Sequence, residues 1–402
     1  MILLLAASCG TRRTPESPQT RSAISFRDAA AETGLHFQHG NGATGQFRMP
    51  EIMGAGVALF DMDGDGALDI YMVQSDGPGQ LFRNDLQPSG RLSFTDATTR
   101  SGITYKGCGM GAATGEIDND GDPDLLITGH GSRALYRNDR AGRFSEIPLP
   151  PQPVANLWST SASFFDYDRD SKLDLVILSY VNFSRQNNKK CQALTGEADY
   201  CTPKAYSPMS ARLYHNDGGG KFTDVTSKAS IDRALGPGLG VAAADLNSDG
   251  WPDLFVANDT AANHVWINQR KGTFKESGLE SGAAYSEDGL TKAGMGVAVA
   301  DFDQNGDDDL FVVNLMREGA TLFRNDGILD LLIATGAVTL REEQRGQPAP
   351  FKGRNLLLRG DANGKFADVS NQAGSVFGLE EVTRGAGLRR HRQRRRYRQR
   401  YQ

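Results

Sequence analysis

Five short stretches of the chain crowd oxygen-bearing side chains at one spacing, D-x-D-x-D-G-x-x-D or a close variant of it. The first, 61-DMDGDGALD-69, offers Asp61, Asp63, Asp65 and Asp69. The second, 116-EIDNDGDPD-124, offers Glu116, Asp118, Asp120 and Asp124, and the third, 166-DYDRDSKLD-174, offers Asp166, Asp168, Asp170 and Asp174. The fourth, 245-DLNSDGWPD-253, keeps Asp245, Asp249 and Asp253 and substitutes Asn247; the fifth, 301-DFDQNGDDD-309, keeps Asp301, Asp303 and Asp309 and substitutes Asn305. Like charges repel, so this crowding needs a cause. Alternate side chains of a tightly wound loop project inward, Gly66 permits the winding, and a centre of oxygen ligands suits calcium, which takes six to eight of them. Ala67 is placed to add a carbonyl. Asn247 and Asn305 can coordinate through an amide oxygen while lowering the site charge, and Ser171 in place of the turn glycine makes the third loop irregular. Magnesium fits less well, because it demands a tighter octahedron and keeps its waters. The bland alternative is a hydrated turn held by Asx hydrogen bonds. Five copies, each followed by an apolar run, favour several structural calcium ions.

The elements that position these loops are strands. An EF-hand would need flanking helices and a bidentate Glu at position twelve; here position twelve of the first loop is Met72, and the flanks GVALF and IYMV are short, apolar and rich in β-formers. A calcium loop inside a β-hairpin is expected. The rest of the unit repeats with it. A G-x-G pair places Gly56, Gly111, Gly240 and Gly296 five residues before a loop. After the loop and its apolar run come 81-LFRND-85, 135-LYRND-139, 213-LYHND-217, 265-VWINQ-269 and 322-LFRND-326, then F-x-acid strands at 94-FTD-96, 144-FSE-146, 222-FTD-224 and 274-FKE-276, with separated forms at 26-FRD-28 and 366-FAD-368. Each unit thus holds about four short strands, and loop starts lie 55, 50, 79 and 56 residues apart, lengths that suit propeller blades. The fold class expected is all-β, a β-propeller with calcium-binding hairpin loops, ahead of a solenoid. Insertions fall at about 183–210 and 329–353.

Composition sets limits on function. The 402 residues carry 47 glycines, 8% aromatics and a net charge of −5, although eight Arg and no acid lie in residues 389–402, so the body is more acidic still. Nucleic acid is not an expected partner for it. No apolar run is long enough for a membrane helix. The start, 1-MILLLAASCG-10, has the character of a signal-peptide remnant ending in a lipobox-like Cys9, a candidate for lipidation that would anchor the protein to a membrane; residues 10–23 read as a polar tether. Export follows, to a periplasmic, outer-membrane-anchored or extracellular location. Cys191 and Cys201, in a C-x9-C insertion, suit a disulfide better than a metal site, and Cys108 suits a small buried residue. The stretch 107-GCGMGAATG-115 lacks a P-loop lysine, and neither H-E-x-x-H nor G-x-S-x-G occurs.

The repeated units resemble FG-GAP or VCBS repeats of integrin-alpha-like propellers. The lead-in 24-ISFRDAAAETGLHFQHGNGATGQFRMPEIMGAGVALFDMDGDG-66 and the segment 202-TPKAYSPMSARLYHNDGGGKFTDVT-226 narrow the resemblance to the cartilage acidic protein family, including its bacterial ASPIC/UnbV-associated members, over residues 24–388. The resemblance implies a calcium-loop propeller outside the cytoplasm, of about seven blades when intact and incomplete here, followed by a small ASPIC/UnbV domain. The expected function is protein or glycan binding, or adhesion, at the cell envelope; the competing expectation is a carbohydrate-active enzyme of polysaccharide-lyase type. The ending 384-RGAGLRRHRQRRRYRQRYQ-402 is read as the product of a frameshift. If its Arg codons are mostly CGA, the next frame turns residues 390–398 into a sixth acidic loop, five residues after Gly385.

Overall fold

The computed structural model describes residues 27–302, 304–316 and 318–325, with the short stretches 331–334, 353–354, 356–360, 366–368, 370, 380–381 and 385–388. Cys9, Phe26, Asp303 and the Arg-rich ending fall outside the described residues, as does most of the second expected insertion. The chain is all-β, and five blades form a propeller. Blade 1 comprises Val57–Phe60, Asp69–Met72, Gln80–Asn84 and Phe94–Asp96; blade 2 comprises Cys108–Gly115, Asp124–His130, Ala134–Asn138 and Phe144–Ile147. Blade 3 uses Ser159–Phe165, Asp174–Ser179, Arg212–Gly218 and Lys221–Asp224, and blade 4 uses Gly238–Ala244, Asp253–Asn258, His264–Asn268 and Phe274–Glu276. In blade 5, Gly294–Ala300, Asp309–Asn314 and Thr321–Phe323 form a three-stranded sheet. A further four-stranded sheet runs in the order Phe366–Asp368, Leu356–Gly360, Leu331–Ala334, Gly385–Leu388, so residues 331–334 form a strand inside a stretch that the sequence marks as an interruption.

All strand pairs within the five blades are antiparallel, and one register recurs. Phe60 pairs with Asp69, Gly115 with Asp124, Phe165 with Asp174, Ala244 with Asp253 and Ala300 with Asp309. The acidic loop is therefore the connection between first and second strands in every blade. The first strands surround a central cavity of about 410 Å³, lined by Gly56, Gly111, Gly240 and Gly296 among others. The repeated glycines have a steric cause here: a Cβ on Gly111 would lie 2.4 Å from the Thr160 carbonyl oxygen, and one on Gly240 would lie 2.4 Å from that of Met295. At these two positions the adjacent inner strand approaches too closely for a side chain.

The core lies between blades. Leu126 and Leu135 of blade 2 pack with Leu175, Ile177 and Tyr214 of blade 3, and equivalent clusters join blades 1 and 2, 3 and 4, and 4 and 5. This is why second strands such as Asp174–Ser179 are buried along their whole length and read as continuous apolar runs. Each fully buried Leu or Ile contributes about 1.5–3 kcal/mol by area removed from water. Val57 and Leu59 of blade 1 differ, being 54% and 57% exposed on the side that alternates away from blade 2.

Candidate metal centres

The four acidic positions of a loop do different work. At the first position, Asp61 accepts N–H bonds from Gly64 (2.9 Å), Asp65 (3.1 Å) and Gly66 (2.8 Å). Asp166 accepts from Asp170 and Ser171, Asp245 from Asp249 and Gly250, Asp301 from Asn305 and Gly306, and Glu116 from Gly121. At the fifth position, Asp65, Asp120, Asp170, Asp249 and Asn305 each accept the N–H two residues on, at 2.7–3.0 Å. These are Asx-type turns, and they help to wind the loop. Ser171 reaches the same positive φ (68°) that Gly66 does (85°), so the third loop keeps its shape.

The ninth position anchors strands. Asp69, Asp124, Asp174, Asp253 and Asp309 are all 0–1% exposed. One oxygen of each accepts the N–H of the loop's second residue, and the other accepts the N–H of an Asn on the third strand, Asn84, Asn138, Asn216 or Asn268, or just beyond it, Asn325. Burial pushes Asp69 and Asp253 up to about 6 and Asp124 and Asp174 up to about 7, against the lowering effect of those N–H bonds.

The third position is where a cation fits. One buried carboxylate oxygen of Asp63, of Asp118 and of Asp168 has no hydrogen-bond partner, and one of Glu116 is in the same state. In these three loops, carboxylate oxygens from positions one, three and nine lie within 4.8 Å of one another. Unpaired buried carboxylate oxygens are costly, and a hard cation is the group that would satisfy several at once. Burial, with repulsion from Asp120 and Glu116, raises Asp118 above the usual carboxylate range. The fourth loop is different: Asn247 there accepts the Asp249 N–H at 3.0 Å.

Basic side chains sit beside the loops. Arg83 bridges Asp63 (2.6 Å), Asp65 (3.1 Å) and Asp85 (2.9 Å). The matching Arg137 turns to Asp139 instead (2.6 Å). His215, at the same place in blade 3, lies 3.0 Å from Asp174 and 3.4 Å from Asp168, and Arg270 holds Asp249 at 2.9 Å.

The third-strand Asn is a residue whose role sequence reasoning missed, although its signal was the repeated N of the L-F/Y-R/H-N-D segment. Its amide donates to its own loop and to the loop of the blade before it. Asn138 reaches the Met62 and Pro123 carbonyls, Asn216 those of Ile117 and Leu173, and Asn268 those of Tyr167 and Pro252. Elsewhere, Cys191 and Cys201 are joined as a disulfide with Cα atoms 5.2 Å apart, and Cys108 is a free thiol that burial pushes up to about 11.

Successive antiparallel blades that each open on an acidic hairpin loop, three of them latched to the blade before, define a repeat propeller. The chain belongs to the FG-GAP-like repeat family, whose model matches residues 61–127, 116–177, 196–256 and 245–312. It is similar to cartilage acidic protein 1 of Xenopus tropicalis (24% identical over 283 residues) and of Homo sapiens (26%), each match covering 66% of this chain. The chain spans about two fifths of those relatives' length, 40% in both cases. Among solved structures it is similar to an Agrocybe aegerita lectin that recognises non-reducing terminal N-acetylglucosamine (16% identity, 77% of this chain and 78% of that one, TM-score 0.38). A second is the V. cholerae biofilm matrix protein Bap1 (12% identity, 65% and 66%, TM-score 0.29).

Proposed function

We propose that the protein is a calcium-stabilised propeller that acts outside the cytoplasm as a protein- or glycan-binding module. The observation that carries the calcium reading is the same unpartnered carboxylate oxygen at Asp63, Asp118 and Asp168. Asp61, Asp63 and Asp69, Glu116, Asp118 and Asp124, and Asp166, Asp168 and Asp174 would hold the ions; the bound cation would supply charge balance at the hairpin rather than chemistry on a substrate. Membership of a repeat family built on a rigid ring, with connections displayed at both ends, supports the binding reading. Calorimetric titration of chelator-stripped protein with calcium tests it. Uptake of about three ions with a raised melting temperature is expected, because a ligand bound only by the folded state stabilises it by mass action. Identical melting curves in calcium and in chelator would overturn it. The bacterial ASPIC/UnbV relationship and the frameshift belong to the same proposal, and the gene sequence tests the latter: the plus-one frame from about codon 386 must encode the acidic loop and stay open past codon 402.

A further inference from the structure

Several cations of this acidic protein are committed to carboxylates, among them Arg83, Arg137, Lys172, Arg212 and Arg270. Four that are not lie together on one segment of the chain. Arg185, Lys189, Lys190 and Lys204 are all exposed, and none forms an ion pair among the described residues. All four lie on the insertion between the second and third strands of blade 3. Acidic loops join first strands to second strands, so a second-to-third connection leaves from the opposite end of the propeller. The insertion's cations therefore stand at the end opposite the carboxylate loops, where the Lys189 ammonium donates to the Ala205 carbonyl and that of Lys190 to the Gln46 side-chain oxygen (3.4 Å).

The insertion is firmly built. The Cys191–Cys201 disulfide closes its hairpin, and Phe183 and Tyr206 pack into a cluster with Trp158 and Tyr180. The Lys189 N–H donates to the Tyr206 hydroxyl (2.9 Å), and the Asn188 amide donates to the Gln46 carbonyl (3.1 Å) on the lead-in to blade 1. The His130 ring of blade 2 lies 3.0 Å from the Phe183 carbonyl, two residues before Arg185, which fixes the base of the insertion against that blade. Its acids are few: Glu197 is exposed and Asp199 is buried. Asn182 and Gln186, both exposed, flank Arg185 with amides that suit hydroxyl groups.

We propose that this insertion is the docking surface for an acidic polysaccharide, one that carries carboxylate or sulfate groups along a hydroxyl-rich chain. The inference rests on the binding-module reading and names its ligand class. Charge complementarity selects the polyanion, and the amides interleaved with the cations select a polyhydroxylated one. A membrane surface would use the same cations but would also want apolar side chains to insert, and the hairpin offers a single exposed leucine, Leu194.

The test measures binding of the full chain, in calcium, to hyaluronate, dextran sulfate, neutral dextran and phosphatidylserine vesicles. The variant Arg185→Gln/Lys190→Gln/Lys204→Gln is run beside it, with melting temperature as the check on folding. Binding to at least one of the two anionic polymers is expected, with a loss of about tenfold or more in the variant and a further loss between low and physiological salt. An unchanged melting temperature is expected as well. Failure to bind either anionic polymer, equal binding to neutral dextran, full affinity in the variant, or binding to vesicles alone overturns the inference. Binding confined to neutral dextran would do so while leaving the binding-module reading intact, and loss of the calcium response alone would strike the calcium reading and not this one.

Discussion

The second and fourth acidic loops have the same register, the same buried ninth-position Asp and the same Asn latch, yet they hold their charge differently. In the second loop, Glu116 and Asp118 each keep a buried oxygen without a partner, and Asp118 is raised above the usual carboxylate range by burial and by its acidic neighbours. In the fourth, Asn247 stands at the position of Asp118 and spends its oxygen on the Asp249 N–H, while Arg270 neutralises Asp249. Winding the loop and holding a cation are thus separable tasks. The first uses positions one, five and nine; the second, as proposed, would rest on a carboxylate at position three and be weakened where a cation competes for it.

The largest expected effect lies in what the two loops share. Asp124→Ala and Asp253→Ala each leave two buried backbone N–H groups unpaired, at about 1–3 kcal/mol apiece, and should cost similar stability in denaturant unfolding. A large cost in one blade and a negligible one in the other would break the premise that both loops are wound alike. Next come calcium effects: saturation at a hundred times the dissociation constant stabilises by about 2.7 kcal/mol per site. Asp118→Asn should lower the calcium stoichiometry by one and Asn247→Ala should leave it unchanged, as read by calorimetric titration. Equal loss from both would erase the distinction between the loops.

A smaller effect is expected from the latch. Asn138→Ala and Asn268→Ala each remove two bonds to backbone carbonyls, one of them in the neighbouring blade, for a cost of about 1–3 kcal/mol that calcium should only partly restore. Smallest is the first loop, where Arg83 already bridges Asp63 and Asp65. Arg83→Gln should tighten calcium binding there several-fold, a shift on the order of 1 kcal/mol, measured against Arg137→Gln, which should change the second loop less. A weakened first site in Arg83→Gln would show that the guanidinium supports the ion rather than competing with it.

Much of this architecture was legible in the chain. Loop, G-x-G entry and F-x-acid strand recur at fixed offsets because each is a local requirement: a turn needs its Asx and glycine positions, and inner strands that nearly touch need glycine at Gly111 and Gly240. Spacing alone named the oxygen-bearing residues of all five loops and the hairpins that carry them. It treated the four acids of a loop as equivalent ligands, because a spacing pattern carries no information about which oxygen a backbone N–H has already taken.

Only the tertiary structure decided those assignments, since the deciding partners are remote in sequence. The Asn latches bond to loops 76, 99 and 101 positions away, and Arg83 reaches Asp63 from 20 positions away while Arg137 makes the other choice. The placement of Arg185, Lys189, Lys190 and Lys204 is likewise a product of the fold. Strand order carries their insertion to the end opposite the acidic loops, because a second-to-third connection leaves where the first-to-second connection does not.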